Sequence, residues 1–336
     1  MQAVILAGGL GTRLRPITYA RPKALVPLLN RPMILHVLDT LPASVDEVIV
    51  AASYMVDALE RFFADREEDR KITFVEEKDP LGTGGALRNL REILHGRFLT
   101  LNVDVISSVN LETLIAQHAT LGGIGILALW EVARPEAYGI VDIDDGGRIQ
   151  RFLEKPSPDE VFSNWINAGA YVFEESLLER IPEGRAVSLE AEIFPVILSE
   201  GLYGLPFQGY WSDAGTLTQY LDATRILLDQ QGPQEEDAEP EYATIPPVTI
   251  SPSARVSGGS VGPYVSVGAN CRITEAQLSR CVLLDGVTVE EGAAVVDSLI
   301  GTGATIEKDA FVRECIVGDG ASVRVGSQRV AEQVEA

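Results

Sequence analysis

Apolar and polar positions follow two rhythms along the first two-thirds of the chain. Short runs rich in Val, Ile and Leu at residues 4–7, 47–51, 71–76, 97–102 and 125–130 predict strands. Between them apolar positions fall three and four residues apart. Met33, Ile34, Val37, Leu38 and Leu41 make one helical stripe, with Pro32 at a suitable first helical position. Residues 54–64, 86–94 and 111–119 carry further helices. This alternation predicts an α/β fold with a doubly wound, mostly parallel, Rossmann-like sheet. Ligands of such sheets bind beyond the carboxyl ends of the strands. A glycine-rich turn follows the first strand, and Asp104 follows the fourth, so both are expected at that edge.

The rhythm then changes. From Asp229 to Glu241 the chain holds six acidic residues, two prolines and no basic residue, which reads as an exposed linker. Beyond it Leu278, Val295 and Val312 are spaced by seventeen, as are Val289, Ile306 and Val323, and Cys281, Ser298 and Cys315. Three columns sharing one period predict a solenoid. The pattern resembles the left-handed parallel β-helix of hexapeptide repeats, with two sixes and a five per coil. The organisation expected is a catalytic domain over residues 1–228, a linker over 229–247, the β-helix over 248–327 and a tail over 328–336.

Charge and composition narrow the classes. A net charge of −22 argues against binding nucleic acid or an anionic membrane through bulk electrostatics. No apolar run approaches the roughly 20 residues of a membrane span. No secretory signal is visible at the start, and the three cysteines suggest no disulfide framework, so a cytoplasmic location is expected. Because Cys281 and Cys315 share a column with Ser298, they read as small packing residues.

Against this acidic background the basic cluster Arg13, Arg15, Arg21 and Lys23 calls for a bound anion. It adjoins Gly8-Gly9-Leu10-Gly11-Thr12-Arg13, directly after the first strand. Glycines let the main chain approach a ligand, and its N–H groups with nearby cations cradle phosphate. The loop is not a P-loop, since no Lys-Ser or Lys-Thr follows, and not a dinucleotide fingerprint, since Leu14 stands where a glycine is required.

The run from Gly8 to Pro16, with Pro22-Lys23-Ala24-Leu25 downstream, resembles the opening motif of the sugar-phosphate nucleotidylyltransferases, the NDP-sugar pyrophosphorylases. The resemblance continues, in the family's order, through Leu81-Gly82-Thr83-Gly84-Gly85, Asn102-Val103-Asp104, Tyr138-Gly139, Glu154-Lys155-Pro156, Asn167-Ala168-Gly169 and Trp211-Ser212-Asp213. It implies that Leu6, Ala7, Gly8, Gly9, Gly11, Thr12, Arg13, Lys23, Gly82 and Thr83 bind the nucleotide. It implies that Tyr138, Gly139, Glu154, Lys155 and Asn167 bind the sugar phosphate, and that Asp104 and Asp213 carry Mg2+. Arg13, Lys23, Lys155 and Asp104 are the expected catalytic residues. Val103 departs from the glycine common before the first aspartate. By spacing alone, either aspartate also suits a helix cap or a turn.

The implied reaction is NTP plus sugar 1-phosphate to NDP-sugar plus pyrophosphate. Residues 21–28, Leu81-Gly82-Thr83 and the short β-helix most resemble the mannose-1-phosphate guanylyltransferases. Uridylyl-, thymidylyl- and adenylyltransferases acting on glucose 1-phosphate share nearly every motif. An inactive NDP-sugar-sensing subunit is a further alternative, disfavoured because the arginine, lysine and both aspartates are present. Acyl transfer in the β-helix is disfavoured because His36, His95 and His118 all precede the linker. The β-helix is expected to serve homo-oligomer assembly.

Overall fold

The structure, a computed structural model, describes residues 1–232 and 242–336. Residues 233–241 of the expected linker therefore lie outside the described residues. The chain divides into two compact units. One holds Met1–Leu10 and His36–Trp211; the other holds Gly11–Leu35 and Ser212–Ala336. This division differs from the expected boundary at 228, because the basic segment 11–35 groups with the β-helix.

The first unit is built on nine strands: β1 (Gln2–Leu6), β2 (Glu47–Ala52), β3 (Lys71–Glu76), β4 (Phe98–Asn102), β5 (Gly125–Glu131), β6 (Gly139–Ile143), β7 (Ile149–Glu154), β8 (Trp165–Phe173) and β9 (Leu202–Pro206). The order β7-β6-β8-β4-β1-β2-β3 runs through the sheet, and β5 lies between β8 and β9. β3, β2, β1 and β4 are parallel neighbours, as their helical crossovers require. Around this parallel, Rossmann-like core the sheet also carries antiparallel strands. β8 runs antiparallel to β4, β5 and β6, and β7 runs antiparallel to β6. The connections from β6 through β7 to β8 contain no helix that could carry a parallel crossover.

The helices Met33–Thr40, Val56–Ala64 and Leu111–Leu121 match the predicted stripes, and Gly82–Asn89 overlaps the helix expected over 86–94 but ends at Asn89. Two differences are informative. Pro32 lies in a two-residue strand, Arg31–Pro32, paired with Pro27–Leu28, so its helix starts at Met33. The third helix begins on the glycines themselves rather than at Ala86. Gly84 and Gly85 donate to the Val187 carbonyl at 2.8 and 3.2 Å, an approach that side chains there would obstruct.

In the second unit the helix Leu217–Gln231 runs past the expected boundary at 228. The β-helix strands extend from Ala243–Thr244 to Gln333–Val334, beyond both predicted limits and into the expected tail. They form three parallel sheets of six, six and five strands, the arrangement of a left-handed β-helix. The three predicted columns occupy three different faces, each stacked on its own sheet. All three cysteines are buried and unpaired, and burial pushes the Cys281 thiol up to about 12. At the corners the chain turns with positive φ. One corner column reads Arg280, Asp297, Glu314 and Ala331, a non-glycine residue in every coil. Among the described residues no helix is long and apolar enough to cross a membrane.

Candidate functional site

The predicted site residues fall into both units. In the first unit, β1 ends at buried Leu6 and Ala7, and the chain emerges at half-buried Gly8 and exposed Gly9. Ala7 N–H donates to Ala51 on β2, and Val103 N–H donates to Leu6, at 2.8 and 3.2 Å. Buried Val103, where a glycine was expected, therefore closes against the end of β1. The Ser53 hydroxyl donates to the Gly8 carbonyl at 2.6 Å, which fixes the start of the turn.

Glu77 is a residue the sequence reading missed. It is 3% exposed, and one carboxyl oxygen, Oε2, accepts from Leu81 N–H at 3.0 Å. Its Oε1 has no hydrogen-bond partner among the described residues and lies 3.2 Å from where a Gly8 side chain would begin. Burial raises its pKa, and the Leu81 N–H only partly opposes this. A buried polar atom without a partner among the described residues, beside a glycine-rich turn, is a place where a ligand donor is wanted.

Gly82 and Thr83 do more structural work than expected. A Cβ on Gly82 would lie 2.6 Å from the Val187 carbonyl oxygen. The Thr83 hydroxyl donates to Glu190 at 2.7 Å and accepts from Leu189 N–H at 2.9 Å. That leaves their main chain as the more available surface for a nucleotide.

The residues expected to bind the sugar phosphate lie at the ends of β6, β7 and β8. Gly139 is required, since its Cβ would meet Phe152 Cζ at 2.6 Å and Glu154 Oε2 at 2.7 Å. Lys155 holds φ at +47°, a left-handed conformation rare outside glycine and strained ahead of a proline. Lys155 N–H donates to Tyr138 at 3.0 Å, and its largely exposed ammonium lies 3.4 Å from Glu154. Burial and then the charge of Glu190 raise the Glu154 pKa, with Lys155 opposing. Asn167 donates to Tyr171 Oη at 2.8 Å and accepts from Gly169 N–H at 3.2 Å. It thereby pins a bulge in β8, where the register against β5 shifts between Asn167 and Tyr171. Trp211, not singled out from sequence, donates from Nε1 to Ala168 at 2.9 Å and meets Tyr138 edge-on at 5.4 Å. Half-buried Asp104 lies in the two-residue turn between β4 and the short strand Val105–Ser107.

In the second unit Gly11 takes φ of +60° and begins a tight turn, Thr12–Leu14. Its Cβ would lie 2.8 Å from Thr18 and 3.3 Å from Lys23 Cβ, so Lys23 starts against the turn and is 8% exposed. Exposed Arg13 reaches the distant aspartate motif: a Cβ on Gly215 would lie 2.7 Å from its Nη2, two residues from Asp213. The basic cluster does not act as one group. Arg15 lies over the Tyr19 ring at 5.0 Å, and Arg21 pairs with Asp319. Among the described residues no three His, Cys, Asp or Glu side chains form a metal-holding cluster.

The nucleotidyl transferase family matches residues 2–230, and the domain described as GMPPB C-terminal matches residues 244–334. Mannose-1-phosphate guanylyltransferase 1 of Arabidopsis thaliana is 37% identical over 315 residues, covering 90% of this chain and 86% of that protein. Mannose-1-phosphate guanylyltransferase catalytic subunit beta of Danio rerio is 39% identical over 326 residues, with the same coverage. Among solved structures, a putative glucose-1-phosphate thymidylyltransferase of Bacillus anthracis in complex with a sucrose superposes with a TM-score of 0.61 at 25% identity. It covers 67% of this chain and 94% of that one. HddC of Yersinia pseudotuberculosis gives 0.57 at 27% identity, over 67% and 99%.

Proposed function

Because this chain belongs to the nucleotidyl transferase family and is a sugar-1-phosphate nucleotidylyltransferase, we propose that its reaction is GTP plus mannose 1-phosphate to GDP-mannose plus pyrophosphate. The observation that carries the reading is the Arg13 guanidinium, whose Nη2 lies 2.7 Å from where a Gly215 side chain would begin, two residues along the chain from Asp213. A glycine-loop cation is thereby brought, within one unit, to the segment that carries Asp213, some 200 residues away in sequence.

A phosphate oxygen of mannose 1-phosphate attacks the α-phosphorus of GTP in line. The new P–O bond forms as the bond to the bridging oxygen breaks, and pyrophosphate leaves with that electron pair. The attacking oxygen is already ionised, so no protein nucleophile or base is needed. Positioning and charge neutralisation supply the rate. Arg13 and Lys23 hold the triphosphate and stabilise the leaving pyrophosphate. Lys155, fixed by its strained backbone, holds the attacking phosphate. Glu154 and Asn167 orient sugar hydroxyls, with Tyr138 and Trp211 as the aromatic wall. Glu77 reads the base: a carboxylate accepts from both N1–H and the exocyclic amine of guanine, an edge no other nucleobase presents. Asp104 and Asp213 would hold Mg2+, since two carboxylates suit an ion that takes its other oxygens from water and phosphate. When bound, it neutralises the two anionic reactants. A homo-oligomer, with subunit contacts through the β-helix, belongs to the same reading and is measured by light scattering.

The test is a matrix of NTPs against mannose, glucose and N-acetylglucosamine 1-phosphates, read by pyrophosphate release. GTP with mannose 1-phosphate is expected to give the highest kcat/KM. A different leading pair overturns the substrate assignment, and NDP-sugar binding without pyrophosphate release makes the chain a sensing subunit. Asp104→Asn is expected to keep its thermal midpoint while turnover falls about a thousandfold. Near-normal turnover removes Asp104 from the site.

A further inference from the structure

Within the second unit, three coils of the β-helix grip the basic segment that follows the glycine turn. Arg21 Nη2 donates to Thr302 Oγ1 at 3.0 Å and pairs with Asp319 Oδ2. The Asn30 amide donates to the Val267 carbonyl at 2.9 Å. Pro16 lies against Gly318, whose Cβ would come within 2.9 Å of Pro16 Cγ. The Arg21–Asp319 pair spans 298 residues of sequence, and its side chains are only 21% and 24% exposed. That partial burial makes it stronger than an ordinary surface pair.

Asp319 also has a duty inside the solenoid. Its Oδ1 accepts from Thr302 N–H at 2.8 Å, as Asp285 Oδ1 accepts from Ala269 N–H at 2.8 Å near the same corner of an earlier coil. One oxygen suffices for that turn, so the second is available to Arg21. Two residues on, Lys23 begins a tight turn closed by Val26 N–H to the Lys23 carbonyl at 3.0 Å, and Lys23 Cβ lies against Gly11. A displacement of Arg21 is thus passed to Lys23 and to the glycine turn.

We propose that Arg21 is a positioning residue: clamped by Asp319 and Thr302, it makes the β-helix the template that sets Lys23 and the phosphate-binding turn. This rests on the nucleotidyl-transfer reading above, but not on which base or sugar is used. The β-helix then has a catalytic duty in addition to any role in assembly.

The experiment compares full-length wild type, Arg21→Ala, Arg21→Lys, Asp319→Asn and the Arg21→Ala/Asp319→Asn double variant. Each is assayed with whichever NTP and sugar phosphate the wild type prefers. Asp319→Asn keeps the acceptor for Thr302 N–H and removes only the charge offered to Arg21. We expect Arg21→Ala and Asp319→Asn each to raise KM for the NTP about tenfold, with KM for the sugar phosphate and the thermal midpoint little changed. Arg21→Lys restores part of the loss, and the double variant is no worse than either single one. Additive effects, or an Arg21→Ala defect that Asp319→Asn does not share, would mean that Arg21 acts on substrate directly and would overturn the proposal. An unchanged KM for the NTP in both single variants also overturns it. If wild type releases no pyrophosphate from any pair, the nucleotidyl-transfer reading fails instead, and NTP binding by titration calorimetry on the same variants still tests the clamp.

Discussion

Glu77 and Glu154 are carboxyl groups that the fold holds above the usual carboxylate range, chiefly by burial. A group whose pKa is raised on folding contributes fully below its ordinary value, near 4.5 for glutamate, and that contribution is lost as pH rises through the raised value. Glu77→Gln removes the buried charge and keeps an acceptor for Leu81 N–H. The variant's thermal midpoint is therefore expected to match wild type at about pH 4 and to exceed it progressively toward neutrality. The stability difference grows by at most about 1.4 kcal/mol per pH unit over the window of the shift. The same variant offers one acceptor and one donor where guanine needs two acceptors. Its preference for GTP over UTP is expected to fall at least tenfold. A pH-independent difference in midpoint would mean that no charge is buried at Glu77. An unchanged nucleotide preference would make Glu77 only the anchor of Leu81.

At the scale of elements, strand ends and turns are shaped by what cannot be added. β6 starts at Gly139 because Phe152 and Glu154, from the neighbouring β7, occupy the volume a side chain would need. Gly139→Ala is expected to destabilise the protein by about 1–3 kcal/mol and to displace the Glu154 carboxylate. KM for the sugar phosphate should rise while KM for the NTP stays nearly constant. A uniform loss of both affinities would mean that the substitution simply loosens the sheet. The β8 bulge works alongside it, turning Asn167 to bond Tyr171 and freeing the Ala168 carbonyl for Trp211.

For the whole molecule, a net charge of −22 sets a self-repulsion that ions screen. The screening length shortens from about 30 Å at about 0.01 M salt to about 10 Å at about 0.1 M. The thermal midpoint is expected to rise by several degrees over that range in sodium chloride, measured by calorimetry. A midpoint that falls would mean that ion pairs such as Arg21–Asp319 and Arg280–Asp297 outweigh the excess of like charge.

What was legible from the chain alone was whatever repeats or is contiguous. The runs that became β1 to β5 and the helical stripes are local patterns, and burial favours each wherever it is placed. The seventeen-residue columns needed only one period to predict a stacked core, and Cys281 with Ser298 and Cys315 declared their packing role by sharing it. The glycine-rich turn and the family followed from short contiguous motifs. Tertiary structure decided the rest, because those features join residues that no local rule connects. β8 runs antiparallel because of how its connection closes. Thr83 faces Glu190, and one Glu77 oxygen is left without a partner among the described residues. The basic cluster is dispersed: Arg15 stays local, on Tyr19, whereas Arg13 lies over Gly215 and Arg21 pairs with Asp319 only once the chain has returned from far away. Local propensity acts over a few residues, whereas burial and charge pairing act through space, and only the folded chain brings those partners together.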